Sequence, residues 1–339
     1  MPAIPHSELI NAILEAIDQS GESGVLTSAM RTHPRRFAIS GPFGPTNFWV
    51  YAWTLTPGGR PQLRNEYRIQ MTSVASPLQL KPDGFTILIG YEPSLKMFAG
   101  FDIERHKTFT SGSPSVQIDI TSIHKALQDG LAFHRKENNE IAVGIRPDQF
   151  MTYVHNAVSL HKHARHRTTF TLLNRASSLE PIPLPEIENL TSERQRIVQM
   201  VSRLSRSANF RQQVLNAYGH RCAVTRLQLQ LVEAAHVLPA AAPGSLDHVV
   251  NGIALSPTYH RAYDNGLIFL DETFTMHINS KKESTIIRLN MDGGLRAFKA
   301  SLGKIHLPAD RRQWPDVCLI RKANRFRRVS LIARQSQDR

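Results

Sequence analysis

The chain has 339 residues, 41% of them hydrophobic and 20% charged, which is enough apolar material for two domain-sized cores. That balance excludes a wholly disordered chain, and two cysteines exclude a disulfide-stapled miniprotein. The net charge is +13 and unevenly spread: residues 1–190 hold 18 Lys and Arg against 17 Asp and Glu, whereas residues 191–339 hold 23 against 11. A basic region of this kind attracts polyanions through Coulomb steering and counterion release. A long basic amphipathic helix with an aromatic face is lacking, which favours nucleic acid over an anionic membrane as the partner. No run of 18 uncharged apolar residues occurs, so no membrane span is expected. The opening residues lack the layout of a signal peptide, and Cys222 and Cys318 suit a reducing compartment, so a cytoplasmic location is expected.

In chain order, Leu9, Ile10, Ile13, Leu14 and Ile17 fall at helical spacing behind Ser7, a candidate N-cap, and Gly21 and Gly24 end the helix. Strands are expected at Asn47–Leu55, around Tyr67–Met71, and at Phe85–Tyr91, Met97–Ile103 and Val116–Ile120. A helix over Thr121–Phe133, a strand at Glu140–Ile145 and a helix over Asp148–Leu160 complete the first region. Strands grouped together with helices at the ends give an α+β domain, not a doubly wound one. Residues 176–190 contain three prolines and three acids and read as a semi-rigid linker. The domains are therefore expected at 1–175 and 191–339. Ser192 with Gln195 forms a capping-box pattern opening a helix through Leu204, and Phe210, Val214 and Tyr218 mark a second helix stopped by Gly219.

The chemistry concentrates between Arg221 and Leu270. His236 precedes Asn251 by fifteen positions, Asn251 precedes His260 by nine, and Asp264 follows His260 at i+4. The last spacing puts His260 and Asp264 on one face of a helix, close enough to share an ion. Val232–Val237 and Gly252–Leu255 read as strands, so a strand pair packed on a helix would gather these polar groups at the seam. An imidazole titrating near neutrality suits activation of water, and one bound cation suits the charge that develops on a phosphate during hydrolysis.

This stretch, with its lead-in Asn-Phe-Arg, Val-Leu, Ala-Tyr-Gly and Arg-Cys-Ala-Val-Thr, resembles the HNH (ββα-metal) endonuclease family, in the restriction-endonuclease-like branch with an Ala-Ala-His first strand. The resemblance covers about Asn209–Ile278. It implies His236 as general base, Asn251 holding that imidazole and the loop in register, and His260 and Asp264 holding a divalent cation. It implies Mg²⁺ or Mn²⁺, with Co²⁺ or Ni²⁺ tolerated because His260 supplies nitrogen. Two departures stand out. Where many relatives place a metal-ligating Asp or His before the base, this chain has Ala235, leaving Glu233 and Asp247 as candidates to complete the ligand set. The second cysteine of a zinc knuckle is missing after Cys222, and Ser256 stands where cysteine often sits, so no structural zinc is expected.

The N-terminal domain resembles, loosely, regions that precede HNH modules in restriction enzymes. Trp49, Trp53, Tyr67 and Tyr91 are candidates to line a pocket that stacks a flipped base, with a place in the core as the plainer alternative. The cluster His161–Arg167 reads as a solvated basic patch near DNA. The combined expectation is an α+β protein with an N-terminal mixed α/β recognition domain and a C-terminal ββα-metal nuclease domain. Its substrate would be double-stranded DNA, plain or with modified bases, and a double-strand cut by one small site implies a homodimer. Two other readings stay open: a defence nuclease triggered by a small signalling molecule, and a DNA-binding protein with an inactive HNH scaffold.

Overall fold

A computed structural model describes residues 3–41, 44–60, 62–82, 84–110, 112 and 114–329. The chain divides into two compact units, Met1–Ala208 and Asn209–Arg339.

The first unit opens with α1 (His6–Gln19), capped at Pro5 and not through the side chain of Ser7 as the sequence suggested. There follow β1 (Ser23–Leu26), β2 (Arg35–Gly41), β3 (Gly44–Thr54), β4 (Thr56–Pro57), β5 (Glu66–Gln70), β6 (Phe85–Glu92) and β7 (Met97–Phe101). After them come α2 (Ile103–His106), β8 (Ser115–Asp119), α3 (Ile120–Asp129), β9 (Leu131–Arg135), β10 (Ile141–Ile145), α4 (Phe150–His163), α5 (Arg167–Ser177) and α6 (Leu184–Glu188). Seven strands form one sheet in the order β1-β2-β3-β6-β7-β10-β9, in which β3 and β6 run parallel and the other pairs antiparallel. A smaller sheet joins β4, β5 and β8.

The pleat sends alternate residues of β3 into different cores. Phe48, Val50 and Ala52 join Ile13, Phe150 and Leu160 from the helices, whereas Tyr51 joins Leu88, Ile69 and Ile118. The α+β expectation holds. The helix expected over Thr121–Phe133 stops at Asp129, because Gly130 turns left-handed (φ 85°) and feeds Leu131–Arg135 into pairing with β10.

Two further expectations are corrected in this unit. The four aromatics do not converge: Tyr91 lies in one core and Tyr67 packs against another. Trp53 stacks on His33 at 4.5 Å, and Trp49 lies under the cations of Arg36 and Lys81. The cluster His161–Arg167 is only partly solvated: Lys162, Arg165, His166 and Arg167 are exposed, but His161 and His163 are buried. His161 is buried, with its ring nitrogens 2.9 Å from the Tyr153 hydroxyl and 2.9 Å from the Ile141 carbonyl oxygen, and burial pushes its pKa down to about 4. Arg165 meanwhile pairs with Asp102.

The stretch read as two helices is one, α7 (Ser192–Ala217). Leu190, Ile197, Val198 and Val201 lie in the first unit's core, and Phe210, Val214 and Leu215 in the second's. The second unit continues with β11 (Glu233–His236), β12 (Gly252–Leu255), α8 (Pro257–Asp264), β13 (Ile268–Leu270), β14 (Met276–Ile278), α9 (Ser280–Arg288), α10 (Leu295–Ala300) and α11 (Val317–Phe326). β11 and β12 pair antiparallel, with His236 opposite Gly252 and Ala235 opposite Ile253. Gly252 is needed for space: a Cβ there would come within 2.2 Å of Val214. Cys222 lies in this core. No helix among the described residues is long and apolar enough to cross a membrane.

Candidate active site

The last strand residue of β11 is His236, and its ring stacks on Phe210 of α7 with centroids 4.0 Å apart and planes 13° apart. That contact fixes one face of the imidazole. Its Nε2 lies 2.9 Å from Oδ1 of Asp247, so the carboxylate holds the proton on that nitrogen and leaves Nδ1 as the basic one. Asp247 comes from the loop between β11 and β12.

Asn251 stands at the end of that loop, in a 3₁₀ turn just before β12, and is completely buried. Its Oδ1 accepts from the Leu238 N–H at 2.8 Å, and its Nδ2 donates to the carbonyls of Leu238 (3.1 Å) and Leu246 (2.9 Å) and to Ser245 Oγ (3.1 Å). The Asn251 carbonyl also accepts from the Val237 N–H. These bonds tie both ends of the loop together. The sequence reading had Asn251 also holding the imidazole of His236; its side chain bonds to the loop, and Phe210 and Asp247 are the groups on the ring.

Helix α8 begins at Pro257, which has no N–H to leave unpaired at the first helical position. The i, i+4 spacing brings Nε2 of His260 to 3.3 Å from Oδ2 of Asp264. On the other side of the ring, Nδ1 lies 2.6 Å from Oε2 of Glu233, one strand residue before Ala234 and on the same face of β11 as Ala235. Burial acts to lower the His260 pKa, but hydrogen bonds and charge from Asp264 and Glu233 outweigh it and leave the group above its usual 6.5. Asp264 is held below the usual carboxylate range, first by its hydrogen bond to His260 and, against the opposing effect of burial, by the charges of His260, Arg327 and His236.

The sequence-predicted residues are therefore gathered in two groups, His236 with Asp247 and His260 with Asp264 and Glu233. The two carboxylates offered as replacements for the ligand missing at Ala235 each sit on a histidine. No group of three or more His, Cys, Asp or Glu among the described residues is arranged as a ready-made metal cluster. The donors still fit a divalent ion with an open shell: one imidazole nitrogen and one carboxylate oxygen face each other, and a second carboxylate orients the ring from behind, as is common around ligating histidines. Sequence reasoning missed Phe210, although it sits in the Asn-Phe-Arg lead-in.

In the first unit, an open cleft of about 630 Å³ is lined by Gln62, Arg64, Asn65, Gln117, Asp119 and His134 among others.

With this geometry in view, a family model described as HNH endonuclease matches residues 222–271. The chain thus carries an HNH endonuclease domain in its C-terminal unit, and it is a nuclease. A second family model, described as Methylase-associated X1, matches residues 46–154, so a methylase-associated X1 domain stands ahead of the nuclease domain. HNH endonucleases generally use a divalent metal ion. A solved structure described as "Modification dependent TagI restriction endonuclease" is 14% identical, with a TM-score of 0.30 over 86% of this chain and 84% of that one. No curated protein matches the chain.

Proposed function

We propose that the protein is a restriction-type endonuclease of the cytoplasm, in which the first unit, residues 1–208, selects the DNA and the second, residues 209–339, cuts it; the stretch 176–190 expected as a linker carries α6 and packs Leu190 into the first unit's core. The observation that carries the cutting role is the pair of histidine–carboxylate groups on the ββα element, His236 with Asp247 and His260 with Asp264 and Glu233. His236 acts as general base. Asp247 keeps the proton on Nε2, Phe210 holds the ring plane, and Nδ1 accepts a proton from the attacking water. Asn251 keeps the Asp247 loop in register. His260 through Nε2 and Asp264 through Oδ2 would hold the divalent ion, with Glu233 orienting His260 from Nδ1. When bound, that ion supplies positive charge for the phosphate and the departing oxygen. One nitrogen and one oxygen donor leave room for water and phosphate, which suits Mg²⁺ or Mn²⁺ and tolerates Co²⁺ or Ni²⁺. No structural zinc is proposed.

The selecting role rests on the contrast of charge between the two parts and on a domain whose family is described as methylase-associated. Such a domain fits a nuclease that distinguishes DNA by its base modification, and the polar cleft at Arg64, Asn65 and Gln117 offers donors and acceptors for that discrimination. A double-strand cut by this single site calls for two copies, hence a homodimer on DNA. Digestion of matched modified and unmodified duplexes with Mn²⁺, followed by sequencing of the fragment ends, tests the reading. Equal cutting of both substrates would remove the selecting role, and full-rate cutting in excess EDTA would remove the metal-dependent mechanism.

A further inference from the structure

After β14, outside the segment matched to HNH endonucleases, the chain folds as a helical hairpin, α9 and α10, in which no residue is buried. Both legs stand on α8, the helix that carries His260 and Asp264. At the base of α9, the Asn279 side chain donates to the Gly266 carbonyl at 2.9 Å and Lys282 donates to that of Asn265. On α10, Phe298 stacks on Tyr259 with centroids 4.8 Å apart, and its carbonyl accepts from the Tyr259 hydroxyl at 3.3 Å. Lys299 ties the second leg to Glu283 of the first.

The tip between the legs is apolar. Helix α9 ends at a left-handed Asn290 (φ 53°), with the N–H of Met291 returning to the Ile286 carbonyl at 2.9 Å and that of Asn290 to the Ile287 carbonyl at 3.0 Å. This motif gathers Ile287, Leu289 and Met291 within one turn, where they are 48%, 58% and 71% exposed. Adjacent large apolar side chains left in water mark a contact surface. The rest of the hairpin is basic: residues 280–304 hold six Lys and Arg against two acids. Arg288 and Arg296 flank the tip, exposed and free of ion pairs among the described residues. Aliphatic side chains set between cations are what minor-groove binders use to part base pairs, the cations holding the backbones on either side. A second copy of the chain would bring the same positive charge to the tip and is disfavoured by it.

We propose that the α9–α10 tip is a DNA wedge, with Leu289 and Met291 inserted between base pairs in the minor groove and Arg288 and Arg296 on the flanking phosphates. The inference rests on reading the second unit as the part that cuts DNA. The test uses the full chain with His236→Ala, which leaves the DNA intact, alone and combined with Leu289→Ser and Met291→Ser together, Met291→Ser, or Arg288→Gln and Arg296→Gln together. Binding of a short duplex labelled at both ends is measured in EDTA over a range of salt, energy transfer between the labels reporting the bend. The His236→Ala chain is expected to bend the duplex by tens of degrees, on the order of what inserted side chains produce elsewhere. Adding the two serines should weaken binding about 10-fold and straighten the duplex while keeping the salt slope, because no counterion is released on burying an apolar side chain. The arginine pair should flatten the log–log slope by about two units. Unchanged affinity and bending with the two serines overturn the proposal; should that variant not fold, the same comparison on Met291→Ser decides. Sedimentation without DNA tests the other occupant: a dimer that the serines split, with the bend retained, overturns the wedge in favour of a contact between copies. A tightly bound but straight duplex defeats the wedge alone, whereas no binding of duplex at all defeats the nuclease reading with it.

Discussion

Replacing Asn251 by Ala should unfold the second unit at a markedly lower temperature. The side chain is completely buried and makes four hydrogen bonds to residues 238–246. Not all of them cost the same when lost. The Leu238 carbonyl keeps the Ser245 hydroxyl at 3.0 Å, and the carbonyl of Leu246, an exposed residue, can be rehydrated. The Leu238 N–H is buried and has no substitute, which costs about 1–3 kcal/mol, and each of the other bonds contributes about 1 kcal/mol net. The expected loss is about 3–5 kcal/mol. For a unit of this size, 1 kcal/mol moves the midpoint by roughly 3–5 °C, so the fall should be on the order of 10 °C or more. Differential scanning calorimetry of the full chain in EDTA reads it. Asn251→Asp keeps the size and the acceptor for Leu238 but turns the donor into an oxygen facing two carbonyls, and should be no milder. A midpoint within about 2 °C of wild type in Asn251→Ala would refute the reasoning.

His236→Ala should lower cleavage by about 10²–10⁴ while DNA binding stays near wild type; retained cleavage would take His236 out of the mechanism. His260→Ala should raise the Mn²⁺ concentration needed for half-maximal cleavage or abolish it, and Ala235→Asp, which adds a carboxylate on the Glu233 face of β11, should lower that concentration. Because the folded His260 pKa lies above 6.5, its contribution to metal-free stability is full below about pH 6.5 and is lost as pH rises through the folded value. The melting temperature in EDTA should therefore fall between pH 6 and 8 more in wild type than in Glu233→Gln, and equal pH profiles would contradict the assigned pairing. Gly252→Ala drives a methyl into Val214 at 2.2 Å, which should cost about 1–3 kcal/mol and displace Phe210 from His236, seen as a lower midpoint together with lost cleavage.

The order His-Asn-His and the apolar strands around it were legible because each strand and the helix are short and their hydrophobic periods unbroken. What the sequence did not disclose is which carboxylate meets which histidine. Asp247 reaches His236 only because the loop folds back on Asn251, and Glu233 reaches His260 only because α8 packs on β11. Helix α7 was divided at a polar run, Ser205-Arg206-Ser207-Ala208-Asn209, that contains neither Gly nor Pro and so nothing to end a helix. Gly130, by contrast, does end one, and the apolar residues after it read equally well as helix or strand until their pairing with Ile141–Ile145 decides. His161 looked like one more charge in a basic run, yet Tyr153 and the Ile141 carbonyl draw it inside.

The loop that delivers Asp247 has a consequence for the temperature at which the enzyme stops working. Between Pro239 and His248 the chain is held by tight turns, Ala242 N–H to Pro239 and Ser245 N–H to Ala242, by the Ser245 hydroxyl on the Leu238 carbonyl and by the amide of one asparagine; Ala242 is its one residue in the described core, and Leu246 is 58% exposed. The strands on either side sit in the core. Segments with few apolar contacts open at a free energy well below that of global unfolding. Each such opening carries Asp247 off His236 and lets the imidazole tautomer relax while the ββα core stays folded. Amide exchange at Leu238 should therefore run faster than at Ile253, and thermal inactivation should be reversible on rapid cooling over an interval beneath the calorimetric transition. The upper limit of activity would then belong to ten loop residues and not to the hydrophobic core beneath them.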